Sequence, residues 1–285
     1  MDGVLVIDKP PGMTSHDVVD RVRKTFGTRK VGHGGTLDPD ATGVLIVGIG
    51  RATRFLTYSQ GAPKRYSAVA RFGVSTSTQD ASGEVIRESD ADLSEAQVRD
   101  ALGSFKGTTE QIPPMVSAVK VGGEALYKKA RRGEDIERPA RAVTIYALEL
   151  REFVPGERPE ATIDVTCSGG TFVRTLVHDL GERLGCGAHL KTLRRTEAGG
   201  FSTEDAIRLE DVTQDSLRPL ADAVRQLAIR APGDEDAESI AHGRALEVDD
   251  SIDEGAFVAF VRDGDLLAVY KREGDRLKPD RVVSS

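Results

Sequence analysis

The segment Gly32-His33-Gly34-Gly35-Thr36-Leu37-Asp38-Pro39 gathers an imidazole, a carboxylate and three glycines into one short loop. Glycines permit close approach of another backbone or a ligand, and Pro39 stiffens the exit from Asp38. Such a loop can present a carboxylate and an imidazole in a cleft, the groups that proton transfer or nucleophilic attack would use. It can equally be a tight turn in which Asp38 closes a local side-chain-to-backbone hydrogen bond. Residue types alone leave both open. A second segment, Gly170-Thr171-Phe172-Val173-Arg174-Thr175, opens a helix marked by Leu176, Leu180 and Leu184. An Arg in the first turn runs against the helix dipole, so Arg174 needs a reason other than helix stability. A buried carboxylate such as Asp38 would supply one; an exposed Arg with no partner is the plainer alternative.

Other chemistries lack their motifs. No GxxxxGK[ST] is present, and the lone Gly48-x-Gly50 is too little for a dinucleotide fingerprint. Ser168-Gly169-Gly170 is not a GxSxG elbow, which leaves serine hydrolysis unsupported. His33 with Asp38 and Asp40, or His178 with Asp179, lack metal-site spacing, so no metal is expected.

The elements that must position these groups follow from periodicity. Val4-Leu5-Val6-Ile7 reads as a buried strand ended by Asp8-Lys9-Pro10-Pro11-Gly12, and Val44-Leu45-Ile46-Val47 as another. Ser15 is placed to cap a helix carrying Val18, Val19, Val22 and Phe26, with Asp17 in its first turn. Lys64 to Phe72 alternates, with Tyr66, Ala68, Ala70 and Phe72 on one face. Ser94-Glu95-Ala96-Gln97 is a capping-box start, and Pro113-Pro114 forbids regular structure. Gly122 to Arg141, short of large apolar residues and rich in positive ones, reads as an exposed insertion. Strands are expected again at Val143 to Phe153 and Thr162 to Cys167. Ala231 to Glu238 reads as a linker, and Asp263-Gly264-Asp265 as a hairpin turn.

The chain has 285 residues, 39% hydrophobic and 30% charged, as a folded chain of about two domains should. No apolar run approaches membrane-spanning length and no basic leader precedes an apolar stretch, so the expected compartment is the cytoplasm. Cys167 and Cys186 are expected to be reduced and buried. The net charge of −7 is concentrated late: from Leu227 onward there are 8 Lys and Arg against 14 Asp and Glu. Basic residues cluster instead at Arg21 to Lys30 and at Lys120 to Arg141, and local patches govern phosphate contacts.

Five ordered segments resemble those of TruB-type tRNA pseudouridine synthases. They are Asp8 to Ser15, Gly32 to Gly43, Lys64-Arg65-Tyr66, Gly170 to Thr175 and Leu193-Arg194-Arg195. The resemblance covers roughly Gly3 to Gln226 well and the remainder weakly. It implies an α+β fold: a mixed sheet with flanking helices over residues 1–226, carrying an RNA-gripping insertion at about 120–142. A small β-rich, PUA-like C-terminal domain would occupy 227–285. The substrate it implies is uridine 55 in the T-loop of tRNA, bound through the T-arm, with no cofactor and no obligate protein partner. Asp38 matches the catalytic aspartate. Tyr66 matches the active-site tyrosine, Arg174 the arginine that pairs with the aspartate, His33 the histidine beside the extruded base, and Leu193 the apolar contact under the uracil. Phe172 stands where the family usually has Tyr, which keeps the ring and loses the hydroxyl. Lys128, Lys129, Arg131 and Arg132 are the candidates for RNA-backbone contact. The intact Asp38, Tyr66 and Arg174 favour an isomerase over a tRNA-binding folding module, which has no physical need of that trio.

Overall fold

Runs in which every residue is apolar need cover on both faces, and the two apolar strands near the start of the chain have it. In the computed structural model, which describes residues 1–117, 119–134, 136–248 and 251–283, Gly3–Lys9 pairs antiparallel with Thr42–Ile49 from Gly3↔Ile49 to Lys9↔Gly43. Alternation divides their side chains between two cores. Leu5, Ile7, Leu45, Val47 and Ile49 pack with Val18, Val19, Val22 and Phe26 of the helix Ser15–Phe26. Val4, Val6, Val44 and Ile46 pack with Phe55, Leu56, Phe201, Ala223 and Val224. The helix is capped by Thr14 rather than by Ser15: Thr14 and Asp17 form a reciprocal capping box. Ser15 is the first helical residue, and its hydroxyl is used elsewhere.

Internal contacts divide the chain into two compact units. One comprises Met1–Pro39, Gly43–Ala62 and Glu197–Ser285; the other comprises Asp40–Thr42 and Pro63–Thr196. In the first, Val31–His33 extends the pair of long strands, with His33 opposite Val47, and Ile207–Arg208 lies parallel to Gly3–Lys9. The same unit holds a second sheet of five strands, running 228–230, 257–262, 265–273, 276–282 and 246–247 in spatial order. Its hairpin turn is the expected Asp263-Gly264, both at positive φ, the backbone a two-residue turn between twisted strands requires. The stretch read as a linker instead contains the helix Asp234–Ala241. Asp234, Glu235 and Asp236 sit in its first turn, where the dipole favours carboxylates, and Ile240 anchors it in the sheet's core. Acidity that looked like solvated linker is helix-starting charge.

The second unit is built on the strands Ala188–Ala198, Lys64–Phe72, Glu160–Cys167, Arg141–Val154 and Gly107–Gln111 in spatial order, the last four pairing antiparallel. The last two residues of Ala188–Ala198 count with the first unit. Lys64–Phe72 alternates as expected: Tyr66, Ala68, Ala70 and Phe72 are buried. The helices Glu95–Gly103 and Val173–Arg183 lie against strands of this series. Outward positions form cross-strand ion pairs such as Arg151–Asp164 and Lys191–Glu160. The basic insertion folds further than expected, into a short hairpin and the helix Leu126–Arg131, pinned by the fully buried Leu126. Cys167 and Cys186 are free and buried. No described helix is long and apolar enough to cross a membrane.

Candidate active site

The Asp38 loop is held from both sides of the aspartate. The Leu37 N–H donates to Ser15 Oγ at 2.8 Å, and Ser15 Oγ lies 3.2 Å from Leu37 O. On the other side, Lys9 Nζ donates to Pro39 O at 2.8 Å, and also to Pro10 O and Met13 O at 2.9 and 2.6 Å. Lys9 is 0% exposed, so its ammonium is stabilised by these carbonyls rather than by bulk water. Upstream, the Gly34 N–H donates to Ile46 O at 2.8 Å, and a Cβ at Gly34 would meet Ser59 Cβ at 3.3 Å. A side chain there would press on Ser59, so glycine suits the close approach. Asp38 itself is half-buried, as is His33 at the end of its short strand. The tie to Ser15 and Lys9 was not read from the sequence. Its only signal was that both residues lie in the segment preceding the loop.

The other expected site residues belong to the second unit. Tyr66 is buried on its strand opposite Val165. Leu193 is half-buried on Ala188–Ala198. Arg174 is the second residue of its helix and only 3% exposed. Its Nη1 meets Asp80 Oδ2 at 3.3 Å and Thr78 O at 3.4 Å, and its Nη2 donates to Val116 O at 2.7 Å. The guanidinium also lies 5.8 Å from the centroid of the Phe172 ring, within cation–π range. Phe172 is gripped through its backbone: its N–H donates to Gln111 Oε1 at 2.8 Å, and its carbonyl accepts from Gln111 Nε2 at 3.0 Å. Asp80 and Gln111 escaped the sequence reading because each is one polar residue in an unremarked strand end or turn.

Sequence and structure comparisons give one answer. The model of the TruB family pseudouridylate synthase N-terminal domain matches residues 23–173, and that of the tRNA pseudouridylate synthase B C-terminal domain matches 174–227. The chain belongs to the TruB family of pseudouridylate synthases. It is 54% identical to tRNA pseudouridine synthase B of Symbiobacterium thermophilum over 78% of this chain and 75% of that one. It is 43% identical to tRNA pseudouridine synthase B of Streptococcus pneumoniae serotype 4 over the full length of both. A crystal structure of a Cbf5-Nop10-Gar1 complex shares the fold at a TM-score of 0.77 and 29% identity, covering 98% of this chain and 84% of that one. As a TruB family member the chain is a tRNA pseudouridine synthase, an enzyme that isomerises uridine in tRNA.

Two further features of this TruB chain bear on the chemistry. Lys64 stands directly across the strand pair from Cys167, and both are buried. Burial, reinforced by the charge of the buried Arg195, pushes the Lys64 ammonium down to about 8, and burial pushes the Cys167 thiol up to about 11. In the insertion, Lys128 is exposed and Lys129 half-buried. Arg132 is committed within the insertion: it grips Glu124 with two bonds of 2.8 Å and meets Glu134 at 2.6 Å. Arg131 ends the helix, and its side chain lies outside the described residues. Among the described residues there is no group of three or more His, Cys, Asp or Glu suited to hold a metal.

Proposed function

We propose that this enzyme converts uridine 55 in the T-loop of tRNA to pseudouridine, with Asp38 as the catalytic carboxylate. The supporting observation is the mount of that residue. Both peptide neighbours of Asp38 are fixed by side chains from the preceding segment, so its carboxylate is presented by a loop that does not have to order itself on binding. The reaction breaks the glycosidic C–N bond, turns the base and rejoins it through carbon. The target base first leaves its stack, at a cost of a few kcal/mol. The ionised Asp38 then acts at C1′ of the ribose or on the base. Arg174 favours the ionised form as the aspartate's cationic partner, His33 stands beside the extruded base, and Tyr66, Phe172 and Leu193 pack around it. Lys128 and Lys129 contact the RNA backbone. The small β-rich sheet of the C-terminal segment is the PUA-like part. The test is incubation with an unmodified tRNA transcript, followed by mapping of pseudouridine by chemical labelling. A single labelled position in the T-loop is expected; label confined to another arm would overturn the assignment of the site.

A further inference from the structure

Among the described residues only Gln79 and Asp263 carry a side chain at positive φ. Asp263 lies in a two-residue hairpin turn that demands that conformation. Gln79, at φ 66°, closes the turn Thr76–Gln79, its N–H donating to Thr76 O at 3.1 Å, and it holds there a left-handed backbone that costs an L side chain free energy. Its neighbours show what the conformation achieves. The residue before it offers Thr78 O, and the residue after it offers Asp80 Oδ2, to the same Arg174 nitrogen. With Gln79 in the left-handed conformation between them, the Thr78 carbonyl and the Asp80 carboxylate converge on the single nitrogen Nη1.

The turn is held by the helix that carries Arg174. Thr175, the next helical residue and buried, donates its hydroxyl to Gln79 Oε1 at 2.7 Å. The strand that carries Leu193 secures the backbone: the Leu190 N–H donates to Gln79 O, and the Ala81 N–H donates to Leu190 O, both at 3.0 Å. Asp80 is oriented by hydroxyls on either side. Its Oδ1 accepts from Thr78 Oγ1 and Ser82 Oγ at 2.6 Å each, and from the Ser82 N–H at 3.0 Å, leaving Oδ2 turned to Arg174.

We propose that Gln79 is a positioning residue for Arg174: clipped to Thr175, it keeps the chain in the left-handed conformation that sets Thr78 O and Asp80 against Nη1 of the guanidinium. This rests on the reading of Arg174 as a site residue. Gln79 itself touches no reacting atom; it acts by holding what holds the arginine.

The experiment compares Gln79→Ala, Gln79→Gly, Thr175→Val, Thr175→Ser and the double variant Gln79→Ala/Thr175→Val. Single-turnover rate at saturating tRNA, KM, thermal midpoint and hydrogen exchange at the Ala81 and Leu190 amides are measured for each. Gln79→Ala and Thr175→Val should each slow turnover by roughly 10- to 100-fold, the scale of a displaced site group, with KM and thermal midpoint near wild type. The double variant should be no slower than either, because one bond is lost in all three. Thr175→Ser keeps the hydroxyl, and Gln79→Gly adopts the turn without strain, so both should recover most of the rate. Wild-type turnover in both single variants, additive losses, or losses confined to KM or midpoint would overturn the proposal. If the wild type forms no pseudouridine, the proposed reaction falls separately. The positioning is then judged by exchange: unchanged protection at Ala81 and Leu190 in Gln79→Ala sinks it.

Discussion

Asp38 sits between two peptide groups that are each tied to another part of the chain, at Leu37 by Ser15 and at Pro39 by Lys9. A change confined to the carboxylate therefore leaves its mount intact. Asp38→Asn should cut turnover by roughly 10²–10⁴-fold or more, with tRNA affinity and thermal midpoint near wild type. Appreciable pseudouridine formation by that variant would rule Asp38 out as the essential group. Lys64 gives a pH signature at the same scale. Its folded-state pKa of about 8 lies below the usual 10.5, because burial and Arg195 disfavour the ammonium. Below pH 8 the cost of burying that charge is fully present. Between about pH 8 and 10.5 the unfolded chain holds the proton more tightly, so stability rises with pH through that window. Lys64→Met removes the group. The stability of wild type relative to the variant, from denaturant titrations, should then rise by up to about 1.4 kcal/mol per pH unit between pH 8 and 10. A difference that does not vary with pH would mean the ammonium does not feel its burial.

At the scale of elements, the helix Val173–Arg183 depends on Gln111 for its first contact with the strands. That side chain, 5% exposed, satisfies both the N–H and the carbonyl of Phe172, two residues before Arg174. Gln111→Ala leaves the Phe172 N–H unmatched, while the Phe172 carbonyl still accepts from the Leu176 N–H at 3.1 Å, and should cost about 1–3 kcal/mol. Turnover should fall as well, because the start of the helix and Arg174 move together. A variant with the lost stability but wild-type turnover would show that the grip is structural only. The basic insertion calls for a divided test, since its cations are not equivalent. Lys128 and Lys129 replaced by Ala should weaken tRNA binding and lower the slope of log affinity against log salt by something under about one unit per lost contact. Arg132→Ala should disturb the insertion through Glu124 and Glu134 with little change in slope. Parallel salt plots for wild type and the double-lysine variant would mark those lysines as ordinary surface.

For the molecule as a whole, the acidic C-terminal segment has a structural duty that its composition conceals. Ala259, Leu266 and Val269 pack in one core with Val4, Val6 and Phe55. Tyr58 donates its hydroxyl to Asp280, and its ring meets Phe257 edge-on at 5.2 Å. Arg272, one of the few cations of this segment, is drawn into the Ile252 and Gly274 carbonyls and Glu254. A chain ended at Gln226 would uncover those apolar faces. A loss of a few kcal/mol follows from the area re-exposed, or on the order of 10 °C in thermal midpoint. Thermal unfolding by circular dichroism checks this, and an unchanged midpoint would show that the segment folds as a passenger.

What the sequence by itself determined is what short-range physics encodes. The burial of Val4 to Ile7, the alternation through Lys64 to Phe72, the capping box at Ser94 and the turn at Asp263-Gly264 each depend on residues a few positions apart. The Asp38 loop was legible for the same reason, since glycines and proline restrict the backbone where they stand. Local signals also misled: four acidic residues near Pro232 read as a linker, because the burial of Ile240 that makes them a helix is a tertiary fact. Only the tertiary structure decided which side chains hold the candidate site residues. Asp80 reaches Arg174 from 94 positions away, Gln111 reaches Phe172 from 61, and Lys9 reaches Pro39 from 30. A polar side chain carries no periodic mark of a distant partner; its hydrogen bond exists only once strands and helices have brought the chain back to meet it.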